Sequence, residues 1–64
     1  MKNLIKKYVD EEFRINLNGL EIYITVIDIK FTYGRYRFLV TPVAGKGEIW
    51  VESFIGLNPQ DLNV

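Results

Sequence analysis

Two adjacent residues, Asn18 and Gly19, constrain the fold of this 64-residue chain more than any other feature. They separate two stretches with an alternating, strand-like pattern, residues 13–17 and residues 20–32. An Asn-Gly pair in this position is typical of a two-residue β-hairpin, because a type I′ turn needs a positive φ angle at both central residues. The sequence therefore predicts antiparallel β-structure through the middle of the chain.

Further strands follow with the same two-residue period. Residues 35–43 are predicted to form a third strand after a turn at residues 33–34, and residues 48–53 a fourth strand after a turn at residues 44–47. In the long run 20–32, both faces are apolar at the start and only one is apolar at the end. This pattern predicts a strand that bends and is covered on both sides at one end.

The N-terminal segment has a helical period instead. Apolar residues recur along one side of residues 3–12, which predicts a short amphipathic helix with Asn3 as its N-cap. A helix of this length is marginal on its own, so its apolar stripe is expected to pack against the sheet or against a second copy of the protein. The stripe consists of Leu4, Ile5, Tyr8 and Val9.

The whole chain is predicted to be one domain. It comprises a helix at residues 3–12, a β-meander at residues 13–57 and a tail at residues 58–64. Residues 54–57 are predicted to form one helical turn. A flat sheet of this size cannot enclose a core, so four to five antiparallel strands are expected to bend strongly into a small barrel.

Three features of this layout are shared with a known group of folds. They are the long bent strand at residues 23–32, the hairpin through Gly34, and the strand at residues 47–51 that leads into the turn at residues 54–57. Together they resemble the SH3-like small β-barrels, which include the Tudor and KOW modules. The resemblance covers residues 20–58 and implies a mainly β architecture. The motifs with which SH3 domains bind proline-rich peptides are missing, so the resemblance does not imply that function.

Composition argues against catalysis. The chain has no cysteine and no histidine, which removes thiolate chemistry and the commonest general base. Ser53 is the only serine and lacks a conventional activating base, so it is interpreted as a strand end or a cap. Glu48 and Glu52 would lie about 13 Å apart along a strand, too far to share a metal or to act as an acid/base pair. We therefore expect no enzymatic activity, no metal and no cofactor.

The charges cancel overall but not locally. Eight basic and eight acidic residues give no global field toward nucleic acid or a membrane. Residues 30–46, however, contain four basic side chains and no acidic one, interleaved with aromatic residues. Small barrels that bind single-stranded nucleic acid use this combination. The candidate binding residues are therefore Lys30, Tyr33, Arg35, Arg37 and Lys46, together with Trp50 on the next strand.

These residues also have a structural interpretation. The arginines can pair with Glu48 and Glu52 on the neighbouring strand, which would leave a solvated hairpin. Tyr36 and Phe38 alternate with the arginines and are expected to face the core, which leaves Tyr33 as the exposed ring at the hairpin tip. Trp50 either covers an open barrel end, which the small size of the chain favours, or stays exposed as an anchor for a partner.

The sequence thus predicts a non-enzymatic binding module. A role in protein–protein interaction or inhibition is favoured, by analogy of size with the small accessory proteins of phages and other mobile elements. The alternatives are a nucleic-acid-binding barrel that uses the 30–46 hairpin, and a structural subunit or homodimer that uses the strand edge near Pro42 and the helix stripe. No signal peptide or membrane-spanning run is evident, so a cytoplasmic location and no membrane partner are expected.

Overall fold

The chain folds as a four-stranded antiparallel sheet in which the strand order follows the chain order. The computed structural model describes residues 2–62. The predicted mainly β class, a bent meander after a short N-terminal helix, is confirmed. The elements are helix α1 (Lys2–Tyr8), strands β1 (Glu12–Leu17), β2 (Leu20–Thr32), β3 (Arg35–Pro42) and β4 (Ile49–Val51), and a final 3-10 helix, η1 (Pro59–Leu62).

Both tight hairpins use the predicted turn residues. Asn18 and Gly19 have φ angles of 51° and 88°, and Tyr33 and Gly34 have φ angles of 53° and 76°. Positive φ at both central positions is the requirement of a type I′ turn, whose twist matches that of the flanking strands. Asn16 Oδ1 also accepts a hydrogen bond from the Gly19 backbone N–H at 2.9 Å. Local chemistry therefore sets the register of the first hairpin.

A bulge in β2 changes which residues face the core. The register with β3 shifts between Val26 and Asp28, so Ile27 is an additional residue in β2. Ile24 and Val26 are buried before the bulge, and Ile29 is buried after it. One extra residue moves the core face from even-numbered to odd-numbered positions. This shift accounts for the two apolar faces at the start of the strand and the single apolar face at its end.

Four aromatic rings form the centre of the core, on the side of the sheet that we call the inner face. Their linked centroids are separated by 4.7 to 6.2 Å, in tilted and edge-to-face arrangements. Such pairs contribute about 0.5–1.5 kcal/mol each beyond the burial of their area. The rings come from α1, β1, β3 and the segment after β4, so the cluster joins both ends of the chain to the sheet. They belong to Tyr8, Phe13, Phe38 and Phe54.

Helix α1 is shorter than predicted. It ends at Tyr8 rather than at residue 12, and Asp10 adopts a φ angle of 69° as the chain turns into β1. Asn3 lies inside the helix, so its assignment as the N-cap is wrong. Leu4 and Tyr8 are buried as predicted, whereas Ile5 is 44% exposed. The helix therefore buries fewer side chains against the sheet than its apolar stripe predicts.

The segment after β4 also differs from the prediction. Residues 54–57 do not form a helical turn, because Ile55 instead makes an isolated bridge to Arg14 on β1. The Ile55 N–H donates to the Arg14 carbonyl at 2.7 Å, and Gly56 then turns the chain with a φ angle of 109°. β4 covers only part of the predicted strand 48–53. In residues 2–62 the sheet therefore remains open, with β1 and β4 as its edges and this one bridge beside β1.

The helical turn lies later, within the predicted tail. Helix η1 is held against α1 by Tyr8, whose hydroxyl donates to the Asp61 carboxylate and accepts from the Asn58 backbone N–H at 3.1 Å. Lys7 Nζ also binds Asp61 Oδ2, at 2.8 Å. Burial raises the pKa of Tyr8, while the Lys7 ammonium and then the Tyr8 hydroxyl hold the pKa of Asp61 below its ordinary value of 3.8. The last two residues of the predicted tail lie outside the described residues.

Candidate binding surface on the β2–β3 hairpin

The hairpin of β2 and β3 brings five of the six candidate residues together. Tyr33 occupies the tip and is 94% exposed. The strand register places the other four on the outer face, the side of the sheet away from the core, with Lys30 directly opposite Arg37. We call this region, including Glu52, the hairpin surface. Its members are Lys30, Tyr33, Arg35, Arg37, Trp50 and Glu52.

Lys46 is not part of the hairpin surface. It lies in the loop after β3, whereas Tyr33 precedes β3, and the eight residues of this strand span about 23 Å. Lys46 instead lines an apolar cavity of 250 Å³ together with Leu17 on β1 and Ile49 on β4. The structure therefore divides the basic stretch of the sequence into two separate places.

Glu52 partly neutralises the two arginines. Arg35 Nη1 lies 3.3 Å and 3.4 Å from the two Glu52 carboxylate oxygens, and Arg37 Nη2 lies 4.0 Å from Glu52 Oε2. The predicted pairing of the arginines with the neighbouring strand thus holds for Glu52, whereas Glu48 makes no ion pair within residues 2–62. Exposed pairs of this kind contribute about 0–1 kcal/mol. One carboxylate is therefore shared by two cations, through long hydrogen bonds from Arg35 and a looser ion pair with Arg37.

Arg37 is the least satisfied polar group of the surface. Its Nε atom is buried and has no hydrogen-bond partner in the described part of the chain. Its direct cross-strand neighbour, Lys30, carries the same charge, and like charges in such a pair are destabilising. The guanidinium therefore combines an unfilled donor with an unfavourable neighbour.

Trp50 lies on the outer face and is 40% exposed, so its interpretation as a cover for an open barrel end is wrong. Lys30 Nζ lies 4.2 Å from the centroid of its ring. A cation over an exposed indole contributes about 0.5–1 kcal/mol. Because Lys30 occupies one face of the ring, that face is not open to a stacking base.

The remaining aromatic residues of the hairpin divide between the core and the tip. Phe38 is buried and Tyr36 is half-buried, as expected from their alternation with the arginines. Phe31 is exposed and packs on Tyr36, with ring centroids 4.7 Å apart. Phe31, Tyr36, Arg35 and Leu62 line a shallow depression of 460 Å³ beside the hairpin surface. Phe31 and Leu62 were not among the candidates from the sequence, although the two-residue turn at residues 33–34 pairs Phe31 with Tyr36 and so sets its face.

The described residues contain no group of three or more potential metal ligands. No helix between residues 2 and 62 is long and apolar enough to cross a membrane. No protein-family model, curated protein or solved structure matches the chain. The resemblance to SH3-like barrels therefore stays a prediction, and the function has to be argued from the surface itself.

Proposed function

We propose that this protein is a non-enzymatic protein-binding module whose partner docks on the hairpin surface. Tyr33 and Trp50 carry the proposal, because both rings are exposed close to two arginines, Trp50 on the outer face of the sheet and Tyr33 in the turn between β2 and β3. Tyrosine, tryptophan and arginine are the residue types that most often dominate the binding energy of protein interfaces. The strands hold Trp50, Arg35 and Arg37 at fixed spacing, and the type I′ turn positions Tyr33 next to them, which lowers the entropy lost when a partner binds.

Nucleic-acid binding is the less favoured function of the same surface. Glu52 lies among the three cations, so the hairpin surface carries a net charge of +2 in a protein with no net charge. Non-specific affinity for nucleic acid depends mainly on neutralised phosphates, and few can be accommodated here. Lys30 also covers a face of the Trp50 ring, which leaves Tyr33 as the best-placed stacking ring.

The proposal is tested by pull-down from the source cell with matched variants. Tyr33→Ala and Trp50→Ala should each weaken retention of a partner by about thirtyfold or more, as expected for anchor residues. Tyr23→Ala is the control, because Tyr23 is also an exposed tyrosine on β2 but lies outside the hairpin surface. Equal losses in all three variants would contradict the proposal.

A titration with mixed-sequence oligonucleotides at low salt decides the nucleic-acid alternative. No binding is expected. Binding that weakens with salt at a log–log slope of about −2 to −4, and that is abolished by the double variant Arg35→Glu, Arg37→Glu, would establish the alternative instead. The accessory-protein role and the cytoplasmic location expected from the sequence stay predictions.

A further inference from the structure

We propose that the segment bound by the hairpin surface is an acidic peptide segment of the partner, in which a carboxylate docks between Arg35 and Arg37 and an adjacent apolar side chain contacts Trp50. This inference rests on the proposed function and specifies the chemistry of the partner.

The two arginines have donors that Glu52 does not fill with short bonds. A guanidinium offers a planar fork of N–H groups that suits a carboxylate in a bidentate arrangement, with N–O distances of about 2.7–2.9 Å. Glu52 achieves this with neither arginine, since its contacts range from 3.3 to 4.0 Å. One further carboxylate could therefore form bonds that Glu52 leaves unmade.

The charge of the hairpin surface is complementary to that of an acidic segment. Lys30 and Arg37 lie directly opposite each other, and Arg35 is on the same face two residues before Arg37. Glu52 offsets one of these three charges, so a net charge of +2 remains. A carboxylate placed between the arginines would also relieve the repulsion within the Lys30–Arg37 pair.

An exposed indole ring lies beside these charges. Trp50 is paired with Leu39 across the strands and presents part of its ring to solvent, and Lys30 lies over the ring. An apolar side chain next to the acidic residue can therefore bury indole surface while the carboxylate meets the cations. A phosphodiester backbone lacks such a side chain, and it would bring repeated charges toward Glu52.

The experiment uses a displayed library of random dodecapeptides as the probe. Peptides selected on the wild-type protein are expected to contain Asp or Glu next to an apolar residue. Their synthetic counterparts with Asn or Gln at those positions should bind about tenfold more weakly, because a charge-assisted bond is lost. Arg37→Gln should weaken the acidic peptides similarly, whereas Lys46→Gln, which removes the same charge outside the surface, should not.

The decisive variant is Glu52→Gln, because it removes the internal competitor of the incoming carboxylate. Affinity for the acidic peptides should rise about three- to fivefold. Glu48→Gln makes the same change in net charge without touching an arginine and should leave the affinity unchanged. Circular dichroism and urea titration establish that each variant is folded, and Glu52→Gln provides a gain that partial unfolding cannot mimic.

The outcomes separate this inference from the proposed function. If the amide peptides bind as well as the acidic ones, or if Glu52→Gln behaves like Glu48→Gln, the acidic partner is wrong. The protein-binding function still stands in that case, provided that Trp50→Ala abolishes binding of the selected peptides. If no selected peptide depends on Tyr33 or Trp50, the proposed function itself fails. If Glu52→Gln instead promotes binding of a single-stranded oligonucleotide and not of any peptide, the ligand is nucleic acid and both proposals are overturned.

Discussion

Replacing Gly56 with alanine should destabilise the protein through two separate effects. The φ angle of 109° at Gly56 is one that residues with a side chain rarely adopt, and such strain costs about 1–3 kcal/mol. A Cβ atom at this position would also lie 2.7 Å from Cδ1 of Phe13. That ring is fixed in the aromatic cluster, 4.7 Å from Phe54 and 5.5 Å from Tyr8. Overpacking adds about 1–3 kcal/mol, so the total should be about 2–6 kcal/mol.

Gly47→Ala separates the two effects. Gly47 has nearly the same φ angle, 107°, but a Cβ atom there would have no neighbour within 4 Å. Its replacement should therefore cost only the backbone strain of about 1–3 kcal/mol. The difference between the two variants then measures the contact with Phe13.

Urea denaturation followed by circular dichroism and by Trp50 fluorescence gives both free energies of unfolding. A domain of this size has a stability of only about 3–5 kcal/mol, so Gly56→Ala should be marginally folded with a much lower urea midpoint, whereas Gly47→Ala should remain well folded. Adding Phe13→Leu to Gly56→Ala should recover part of the loss, because the smaller side chain can move away from the new methyl group. If the two alanine variants lost the same stability, Phe13 would not be held against Gly56 and the reasoning would be refuted.

Four further predictions concern the helix contact and the first hairpin. Tyr8→Phe removes the hydroxyl that binds Asp61 and the Asn58 N–H, so the free energy of unfolding in urea should fall by about 1–2 kcal/mol, and an unchanged midpoint would contradict this. The Lys7 ammonium lowers the pKa of Asp61 in the folded state. The stabilisation by the ionised Asp61 carboxylate is therefore present above the ordinary pKa of 3.8 and is lost as the pH falls through the lower folded-state pKa. In urea titrations at several pH values, Asp61→Asn should reduce this loss of stability at acid pH. Burial raises the pKa of Tyr8, so the protein should lose stability as the pH rises from 10.0 through the higher folded-state pKa. This loss at alkaline pH should be smaller in Tyr8→Phe, which has no hydroxyl to ionise. Gly19→Val places a β-branched residue at a φ angle of 88° and should cost about 1 kcal/mol or more, measured as a lower melting temperature; no change would argue against the type I′ turn.

The parts of the fold that were predictable are those set by neighbouring residues. Asn18 and Gly19 encode their turn because their own φ preferences suffice. The bulge at Ile27 leaves only an indirect signal: two apolar faces at the start of residues 20–32 and one at the end predict a bend, but they do not identify the extra residue. The end of α1 was misplaced because residues 10–12 suit the outer side of a helix, whereas β1 takes residues from Glu12 onward into a ladder with β2. Pairing with a distant strand outweighed the local preference.

The sequence likewise predicted only those parts of the hairpin surface that follow from alternation along one strand. Alternation along β3 correctly placed Arg35 and Arg37 on one face, and the pairing of β3 with β4 brought Glu52 to them. Lys46 belongs to the same basic stretch of sequence, but it follows β3 and therefore lies at the opposite end of this strand from Tyr33. The exposure of Trp50 depends on the pairing of β4 with β3, which places it opposite Leu39 on the outer face of the sheet. The residues next to Trp50 in the sequence do not show whether another part of the chain covers that face.

The chain-order sheet has a consequence for folding kinetics. Every strand pairs with its neighbour along the chain, so the two hairpins and β4 can assemble with little loss of loop entropy. The bond from Tyr8 to Asp61, by contrast, joins residues 53 positions apart, and the bridge from Arg14 to Ile55 also closes a long loop. These contacts should form last on folding and open first on unfolding. Because Tyr8 and Phe54 supply half of the aromatic cluster, we expect the contacts between the two ends of the chain, and not the sheet, to set the rate at which the native state opens.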